Sequence, residues 1–176
     1  MGIGHRLSLL VKDGNVAYCD ISGVCRRVAG GYAFPNGLVL SRDGLLYVPS
    51  SVSGNAVVYK PRADGGIDEI DTIKIAYPLD NLSEDANGDL WVPGLPKLDQ
   101  TLASFDDPLG APTPPATVLR IRKKQSGGYQ VDKVLEDANG EVLPGATSVV
   151  HDVRTRRIFV SGVVSPFITV CEPENK

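Results

Sequence analysis

The sequence lacks the features that mark several classes of protein. No run in its 176 residues approaches the roughly 18 consecutive apolar residues of a membrane-spanning helix. The amino-terminal stretch MGIGHRLSLLVKDGN has too short an apolar run for a signal peptide and no small-residue cleavage site after it. Basic residues are not in excess, because 18 Lys and Arg stand against 21 Asp and Glu. The sequence therefore predicts no membrane segment and no nucleic-acid partner, and its composition is typical of one globular domain.

Helical patterns are also missing. No segment keeps apolar residues at i, i+3 and i+4 over the ten or more residues that a packed helix needs, and 13 Pro and 19 Gly interrupt the chain. Short runs rich in Val, Ile, Leu and aromatic residues are present instead, among them LLYVPSS, AVVYKP and TVLRIRK. Turn dipeptides such as Asp43-Gly44 and Asn87-Gly88 separate these runs. The pattern predicts an all-β fold.

Three segments repeat one plan. They are NGLVLSRDGLLYVPS from Asn36, NLSEDANGDLWVPG from Asn81 and SVVHDVRTRRIFVSG from Ser148. Each has a polar first residue, an apolar strand, an Asp near the turn and a second strand that contains Val. Val48 and Val92 lie 44 residues apart, within the ~40–50-residue period of propeller blades. We therefore predict a partial β-propeller of about three to four blades.

The polar first residues of these repeats are candidate metal ligands. The innermost strand of each propeller blade runs along the central channel, so Asn36 and Asn81 are expected to face that channel from consecutive blades. Asp80 adds a carboxylate beside Asn81. Calcium accepts six to eight carboxylate, amide and water oxygens without strict geometry, which makes these three residues candidate calcium ligands. The alternative is local: Asn36-Gly37 forms a tight turn, and Asp80-Asn81 caps a loop through its own backbone.

Four motifs in register resemble the carboxy-terminal half of the paraoxonase/arylesterase family. They are FPNGLVLSRDGLLYV from Phe34, YPLDNLSEDANGDLWV from Tyr77, ATVLRI from Ala116 and the segment from Val134 to Glu172. The resemblance runs from about Asn15 to Glu172. We therefore expect residues 15–176 to form the partial propeller domain and residues 1–14 to be an unmatched amino-terminal segment.

The resemblance implies a fold, a cofactor and an activity. Paraoxonases are six-bladed propellers that hold calcium in a central tunnel and act on lactones and aryl esters. The family's F-x-N-G and D-N ligand motifs fall on Asn36 and on Asp80 and Asn81. In such a site calcium acts as a Lewis acid on the carbonyl oxygen of the substrate. The expected partner is a small-molecule ester or lactone. Full-length relatives are typically secreted or membrane-associated, but the sequence does not indicate the compartment of this chain.

Some of the family's functional residues have no counterpart in this sequence. These are a Glu and an Asn that complete the calcium shell, and a His pair that supplies the general base. His5 lies in the unmatched segment and His151 in the last blade, so neither inherits that role, and we expect both at the surface. The catalytic residues are therefore unknown. We expect a calcium-dependent hydrolase by lineage, incomplete as given; the alternatives are a non-catalytic propeller scaffold or fragment and a gluconolactonase- or strictosidine synthase-like propeller.

Several local predictions complete this picture. An open arc of blades exposes apolar faces and strand edges at its ends, which favours self-association. The proline-rich segment 105–117 is expected to be a surface loop. Three cysteines leave at least one unpaired, and the resemblance places Cys171 at the family's carboxy-terminal Cys, whose partner lies near the amino terminus of full-length relatives. Cys19 and Cys25 flank a possible hairpin and could pair across it, but we favour two buried free thiols.

Overall fold

A computed structural model describes residues 11–173, and within that range it contains thirteen strands and one helix. The helix is α1 (Leu98–Asp106). The strands are β1 (Gly14–Cys19), β2 (Cys25–Tyr32), β3 (Val39–Leu40), β4 (Leu46–Pro49), β5 (Asn55–Pro61), β6 (Ile67–Lys74), β7 (Ser83–Glu84), β8 (Leu90–Gly94), β9 (Ala116–Lys123), β10 (Tyr129–Asp137), β11 (Ala146–Asp152), β12 (Arg157–Gly162) and β13 (Thr169–Cys171).

The strands form four antiparallel sheets in chain order. β1 and β2 form a hairpin, β3 to β6 and β7 to β10 form two four-stranded sheets, and β11 to β13 form a three-stranded sheet. Every strand pairs with its neighbour in sequence, which is the meander of a propeller blade. The prediction of an all-β partial propeller is confirmed. Two blades are complete, and the hairpin and the three-stranded sheet are incomplete ones.

The repeat that the sequence shows is the inner hairpin of each blade. Gly44 and Gly88 end these turns with φ angles of 79° and 84°, a left-handed conformation that glycine adopts without a Cβ clash. The turns fold β4 back on β3 and β8 back on β7, so that Val39 lies opposite Tyr47. Consecutive blades therefore place equivalent residues side by side along the inner strands.

Apolar side chains are buried between neighbouring sheets. The largest cluster joins the two complete blades and includes Tyr47, Val58 and Val92, which are 2%, 0% and 0% exposed. A second cluster joins β7–β10 to the last sheet, and Trp91 lies in it, as expected for a residue that packs between blades. A third joins the β1–β2 hairpin to β4 and β5 through Val16. Each complete blade thus buries apolar residues on both faces.

The helix α1 is an element that the sequence analysis did not predict. It is nine residues long and buries Thr101 and Ser104, not an apolar stripe. Both hydroxyls donate to backbone carbonyls within the helix region, from Thr101 to Lys97 at 3.2 Å and from Ser104 to Thr101 at 2.7 Å. Because the buried face of α1 consists of two hydroxyl side chains that bond to nearby backbone carbonyls, the helix has no apolar periodicity in its sequence.

The segment 105–117 is only partly the surface loop that the sequence predicts. Its first two residues belong to α1, and its last two belong to β9. Pro114 and Pro115 are buried, and the Pro114 carbonyl accepts the backbone N–H of Gly145 at 3.0 Å. The end of the segment is therefore packed against the chain that enters the last blade.

The expectation of two buried free thiols at Cys19 and Cys25 is wrong. The two cysteines form a disulfide that joins the ends of β1 and β2, and both are exposed. Cα atoms that face each other across a tight hairpin lie within the reach of a disulfide, here 4.1 Å apart. Cys171 is free, and burial raises the pKa of its thiol. No helix among residues 11–173 has the length and apolar character needed to cross a membrane.

Candidate functional site

Polar residues from three neighbouring blades meet at the start of the inner strands. Asn36 precedes β3, Asn81 precedes β7, and Ser148 lies at the third position of β11. Asn81 and Ser148 form an isolated parallel bridge, and the Asn81 N–H donates to the Thr147 carbonyl at 3.1 Å. The three polar first residues of the sequence repeat therefore converge.

Asp80 is the centre of this cluster. Its Oδ1 atom accepts hydrogen bonds from Asn36 Nδ2 at 2.7 Å and from Asn81 Nδ2 at 2.9 Å. The structure thus brings together all three residues that the sequence analysis singled out, and we call Asn36, Asp80 and Asn81 the polar triplet. Local hydrogen bonds are also present, because Asn36 Oδ1 accepts the Gly37 N–H at 2.8 Å, but the contact between Asn36 and Asp80 joins residues 44 positions apart in the chain.

The amides of the triplet are held by further hydrogen bonds. Asn36 Nδ2 also donates to Ser51 Oγ at 2.8 Å, and Ser51 Oγ donates to the Leu79 carbonyl at 2.8 Å. Asn81 Nδ2 also donates to the Thr147 carbonyl at 2.9 Å. Ser51 is a supporting residue that sequence reasoning missed; it lies two residues after the end of β4, in the segment SSVSG, which carries no motif.

Gly37 makes room for the triplet. A Cβ atom built on Gly37 would lie 2.1 Å from Asn81 Oδ1 and 2.9 Å from the Asn81 Cα atom. Contacts under 3.0 Å are essentially absent from real proteins, so one of the two blades would have to shift. Asn36-Gly37 does not form the tight turn of the local alternative, and Gly37 does not have a positive φ angle. The close approach of the next blade explains the glycine.

The Asp80 carboxyl is buried without a positive partner. It is 9% exposed, and burial raises its pKa from 3.8 to about 6, although the hydrogen bonds from Asn36 and the Asn81 backbone act in the opposite direction. Within residues 11–173, no Lys, Arg or His forms an ion pair with it. The structure therefore holds a carboxylate whose ionised form lacks a counter-charge in the described part of the chain.

The donor set suits a hard cation. One carboxylate and two amide side chains supply oxygen atoms, which are the ligands that calcium prefers. Among residues 11–173, no three His, Cys, Asp or Glu side chains lie close enough to hold a metal, so a site built from acidic residues or from His and Cys is not present there. The role of the triplet as calcium ligands stays a prediction.

His151 is not the surface residue that we expected. Its side chain is 14% exposed, and its Nδ1 atom lies 2.7 Å from Asp85 Oδ2. Trp91 Nε1 donates to the same carboxylate oxygen at 2.9 Å, and the Trp91 ring lies 4.4 Å from the His151 ring. Burial acts to raise the pKa of Asp85, but the hydrogen bonds from His151, Trp91 and two backbone N–H groups outweigh it and hold the pKa below its usual value.

This second cluster lies away from the triplet. Asp85 is four residues beyond Asn81 and His151 three beyond Ser148, which corresponds to about 10–13 Å along a strand. The sequence signal was present, since Asp85 is the Asp near the turn in the repeat, but the repeat alone did not connect it to His151. His5, the other histidine, lies outside the described residues.

Comparison with known proteins identifies the family. A model of the arylesterase family matches residues 6–172. A search of curated proteins gives no match.

Solved structures with a similar fold share little sequence with this chain. A luciferin-regenerating enzyme is 16% identical with a TM-score of 0.55, and the match covers 86% of this chain and 44% of that one. A functionally unknown protein from Desulfotomaculum acetoxidans DSM 771 is 13% identical with a TM-score of 0.49, covering 91% and 54%. A virginiamycin B lyase from Staphylococcus aureus is 14% identical with a TM-score of 0.36, covering 92% and 64%.

The first of these structures supports the propeller fold, and the other two add no argument to it. The chain spans about half the length of the first two structures. The family match, in contrast, extends over nearly the whole sequence and includes all of the polar triplet. The chain therefore belongs to the arylesterase family, that of the paraoxonases.

Proposed function

We propose that the chain is a calcium-dependent hydrolase of lactones and aryl esters in which Asn36, Asp80 and Asn81 hold the metal. The family supports an esterase-like propeller, and such enzymes are generally metal-dependent. The observation that supports calcium at this place is the Asp80 carboxylate, which is buried, shared by two amides from neighbouring blades and without a described positive partner. A divalent cation supplies the missing charge.

Calcium binding would change what the two amides present. In the structure, Asn36 and Asn81 both direct Nδ2 at Asp80. An amide that ligates a cation does so with its oxygen, so each amide has to turn about its last side-chain bond. Asn81 would then exchange its hydrogen bond to the Thr147 carbonyl for the metal. Asn36 would give up its hydrogen bond to Ser51 Oγ and the one that its Oδ1 atom accepts from the Gly37 N–H at 2.8 Å.

The chemistry of the bound ion would be that of a Lewis acid at the carbonyl oxygen of an ester or lactone. The chain's own contribution is to fix the ligands. The triplet lies in the segments that lead into β3 and β7, and hydrogen bonds fix these segments: the Leu79 backbone carbonyl holds Ser51, and the backbone of β11 holds Asn81.

A cavity between α1, the segment that precedes β9 and the segments that flank β11 and β12 could take the apolar part of a substrate. Its volume is about 400 Å³, within the ~300–1,000 Å³ of small-molecule sites. Pro114, Pro144, Val164 and Phe167 form much of its lining. Pro144 is three residues before Thr147, whose carbonyl accepts a hydrogen bond from Asn81, so about 10 Å of extended chain separates this part of the lining from that contact. We propose that it accepts the acyl or aryl group.

Hydrolysis of phenyl acetate and of a γ-lactone tests this function. We expect turnover that depends on added calcium, stops with a chelator and is lost in Asp80→Asn. Asp71→Asn is the matched control, because Asp71 is an exposed aspartate on β6. Turnover that ignores the chelator and survives Asp80→Asn would contradict the proposal. Calcium binding without turnover of either substrate would favour the non-catalytic scaffold.

A further inference from the structure

The two ends of the arc expose apolar residues that face away from the described core. At the last sheet, Val150, Phe159 and Val170 are 54%, 37% and 48% exposed. They form one row, because Val150 pairs with Phe159 and Phe159 pairs with Val170. We call this row the C-face. At the first complete blade, Leu38 and Leu40 are 51% and 63% exposed, and we call this pair the N-face.

The C-face corresponds to a surface that the preceding blade buries. In the β7–β10 blade, Val92 and Leu119 contribute to the cluster on one side of the sheet, and Trp91 and Val118 contribute to the cluster on the other. In the last sheet, Val149 and Val160 contribute to the second of these clusters, and their neighbours Val150 and Phe159 point the other way. By the same repeat, Val150 and Phe159 are the residues that a following blade would cover.

The N-face is open because its neighbouring sheet has only two strands. The β1–β2 hairpin covers β4 and β5, where Val16 packs with Val48 and Val57. It does not reach β3, so within residues 11–173 no inner strands of a preceding blade cover Leu38 and Leu40. The last sheet has the strands that are needed, since β11 and β12 are the inner strands of a blade.

We infer that two copies of this chain associate end to end, with the C-face of each copy on the N-face of the other. The β1–β2 hairpin of one copy then lies beside β11 and β12 of the second, and together they make one four-stranded blade. Two such composite blades and four complete ones give a closed ring of six. β1 of the second copy would take the place of the three-residue strand β13 beside β12, so that Val150 and Phe159, and not Val170, form the part of the C-face that the contact buries.

Strand complementarity supports a second copy as the occupant. The last sheet has the inner strands β11 and β12 that the N-face lacks, and the β1–β2 hairpin has the two outer strands that the last sheet lacks. A ring closed by two copies forms both contacts at once and leaves no open face, which is the way propellers avoid exposed edges.

Pairing would also complete the metal centre, and this part of the inference rests on the proposed function. The two triplets would face the same central axis, one from each copy. Together they contain two carboxylates and four amides, so that six side chains could supply oxygen to one ion. Calcium takes six to eight oxygen ligands, whereas a single triplet offers three side chains and one negative charge. The shared site would therefore bind one calcium ion per two chains.

Light scattering on the purified 176-residue chain tests the pairing. We expect a dimer for the unmodified chain, and monomers for Phe159→Asp and for Leu40→Asp, because each variant places a charge in one of the two faces. Ile70→Asp is the matched control, since Ile70 is 51% exposed but lies on the outer strand β6, and it should remain a dimer. A monomeric unmodified chain, or a dimer that neither variant dissociates, would overturn the inference.

Mixing the two variants separates this arrangement from a symmetric contact. A Phe159→Asp chain keeps an intact N-face, and a Leu40→Asp chain keeps an intact C-face. A mixture of the two should therefore form a heterodimer through the contact between these two intact faces. That recovery also shows that both variants are folded. If Leu40→Asp alone stays dimeric, the contact joins two C-faces and the ring is wrong.

Calcium titration of the same samples distinguishes failure of the pairing from failure of the proposed function. One calcium ion per two chains, lost in both face variants and retained in Ile70→Asp, supports the shared site. A monomer that binds calcium and hydrolyses esters would overturn the pairing and leave the function intact. A dimer that binds no calcium would leave the pairing intact but remove both the shared site and the proposed function.

Discussion

Replacing Asp80 by Asn should stabilise the calcium-free chain at neutral pH while removing its metal ligand. Burial raises the pKa of Asp80 from 3.8 to about 6, so the folded state disfavours the ionised carboxyl. At about 1.4 kcal/mol per pH unit, ionisation of Asp80 lowers the free energy of unfolding by about 3 kcal/mol. Asn has nearly the same shape, keeps an acceptor oxygen for the two amides and carries no charge.

The pH dependence gives the sign of the effect. Below pH 3.8 the carboxyl is protonated in both the folded and the unfolded chain, so Asp80 imposes no penalty. Between pH 3.8 and about 6 only the unfolded chain ionises, and the stability of the unmodified protein falls. Above about pH 7 the full penalty is present. Asp80→Asn should therefore gain stability over the unmodified chain as the pH rises through this window.

Urea unfolding with a chelator present, at pH values from 4 to 8, measures this difference. We expect Asp80→Asn and the unmodified chain to have similar free energies of unfolding at the acid end, and the variant to be more stable by up to about 3 kcal/mol at pH 8. Asp71→Asn should stay within about 0.5 kcal/mol of the unmodified chain throughout. A variant that is less stable at pH 8, or whose difference does not change with pH, would refute the argument.

Two further variants test the packing around the site, and a double substitution tests the disulfide of the first hairpin. Gly37→Ala should lower the free energy of unfolding by about 1–3 kcal/mol and weaken calcium binding, because the added methyl group would overlap Asn81. Unchanged unfolding and calcium titration curves would count against the close approach of the two blades. Asp85→Ala should lower the free energy of unfolding in urea by about 3 kcal/mol, because it leaves buried hydrogen-bond donors unpaired, but its calcium affinity should match that of the unmodified chain. Loss of calcium binding in this variant would show that the two clusters are one site. Replacing Cys19 and Cys25 by Ser should lower the free energy of unfolding by about 2 kcal/mol, which is the loop-closure contribution of a short loop, and added reductant should not destabilise this variant further. An equal response of the variant and the unmodified chain to reductant would contradict the disulfide.

The fold was predictable because the repeat has a physical basis. Each blade needs the same inner hairpin, so the turn at Gly44 recurs at Gly88 and the apolar strands follow at a similar spacing. The helix α1 could not be predicted in this way, because its buried residues are Thr101 and Ser104. Their hydroxyls bond within the chain, and no hydrophobic pattern records their burial.

The site was predictable in its members but not in its contacts. The repeat and the family motifs select Asn36, Asp80 and Asn81, and the structure places all three together. The sequence did not reveal that Asp80 is the shared acceptor, because that depends on the approach of two blades. It also misplaced His151, whose partner Asp85 is 66 positions away in the chain and becomes its neighbour only when the last sheet packs on the second blade.

Calcium binding to the chain itself tests the central claim most directly. In isothermal titration calorimetry at pH 7.5, the unmodified chain and Asp71→Asn should bind calcium with measurable heat, and Asp80→Asn should show none. Binding should weaken as the pH falls below about 6, where Asp80 takes up a proton. No calcium binding by the unmodified chain, or equal binding by Asp80→Asn, would contradict a metal centre built on Asn36, Asp80 and Asn81.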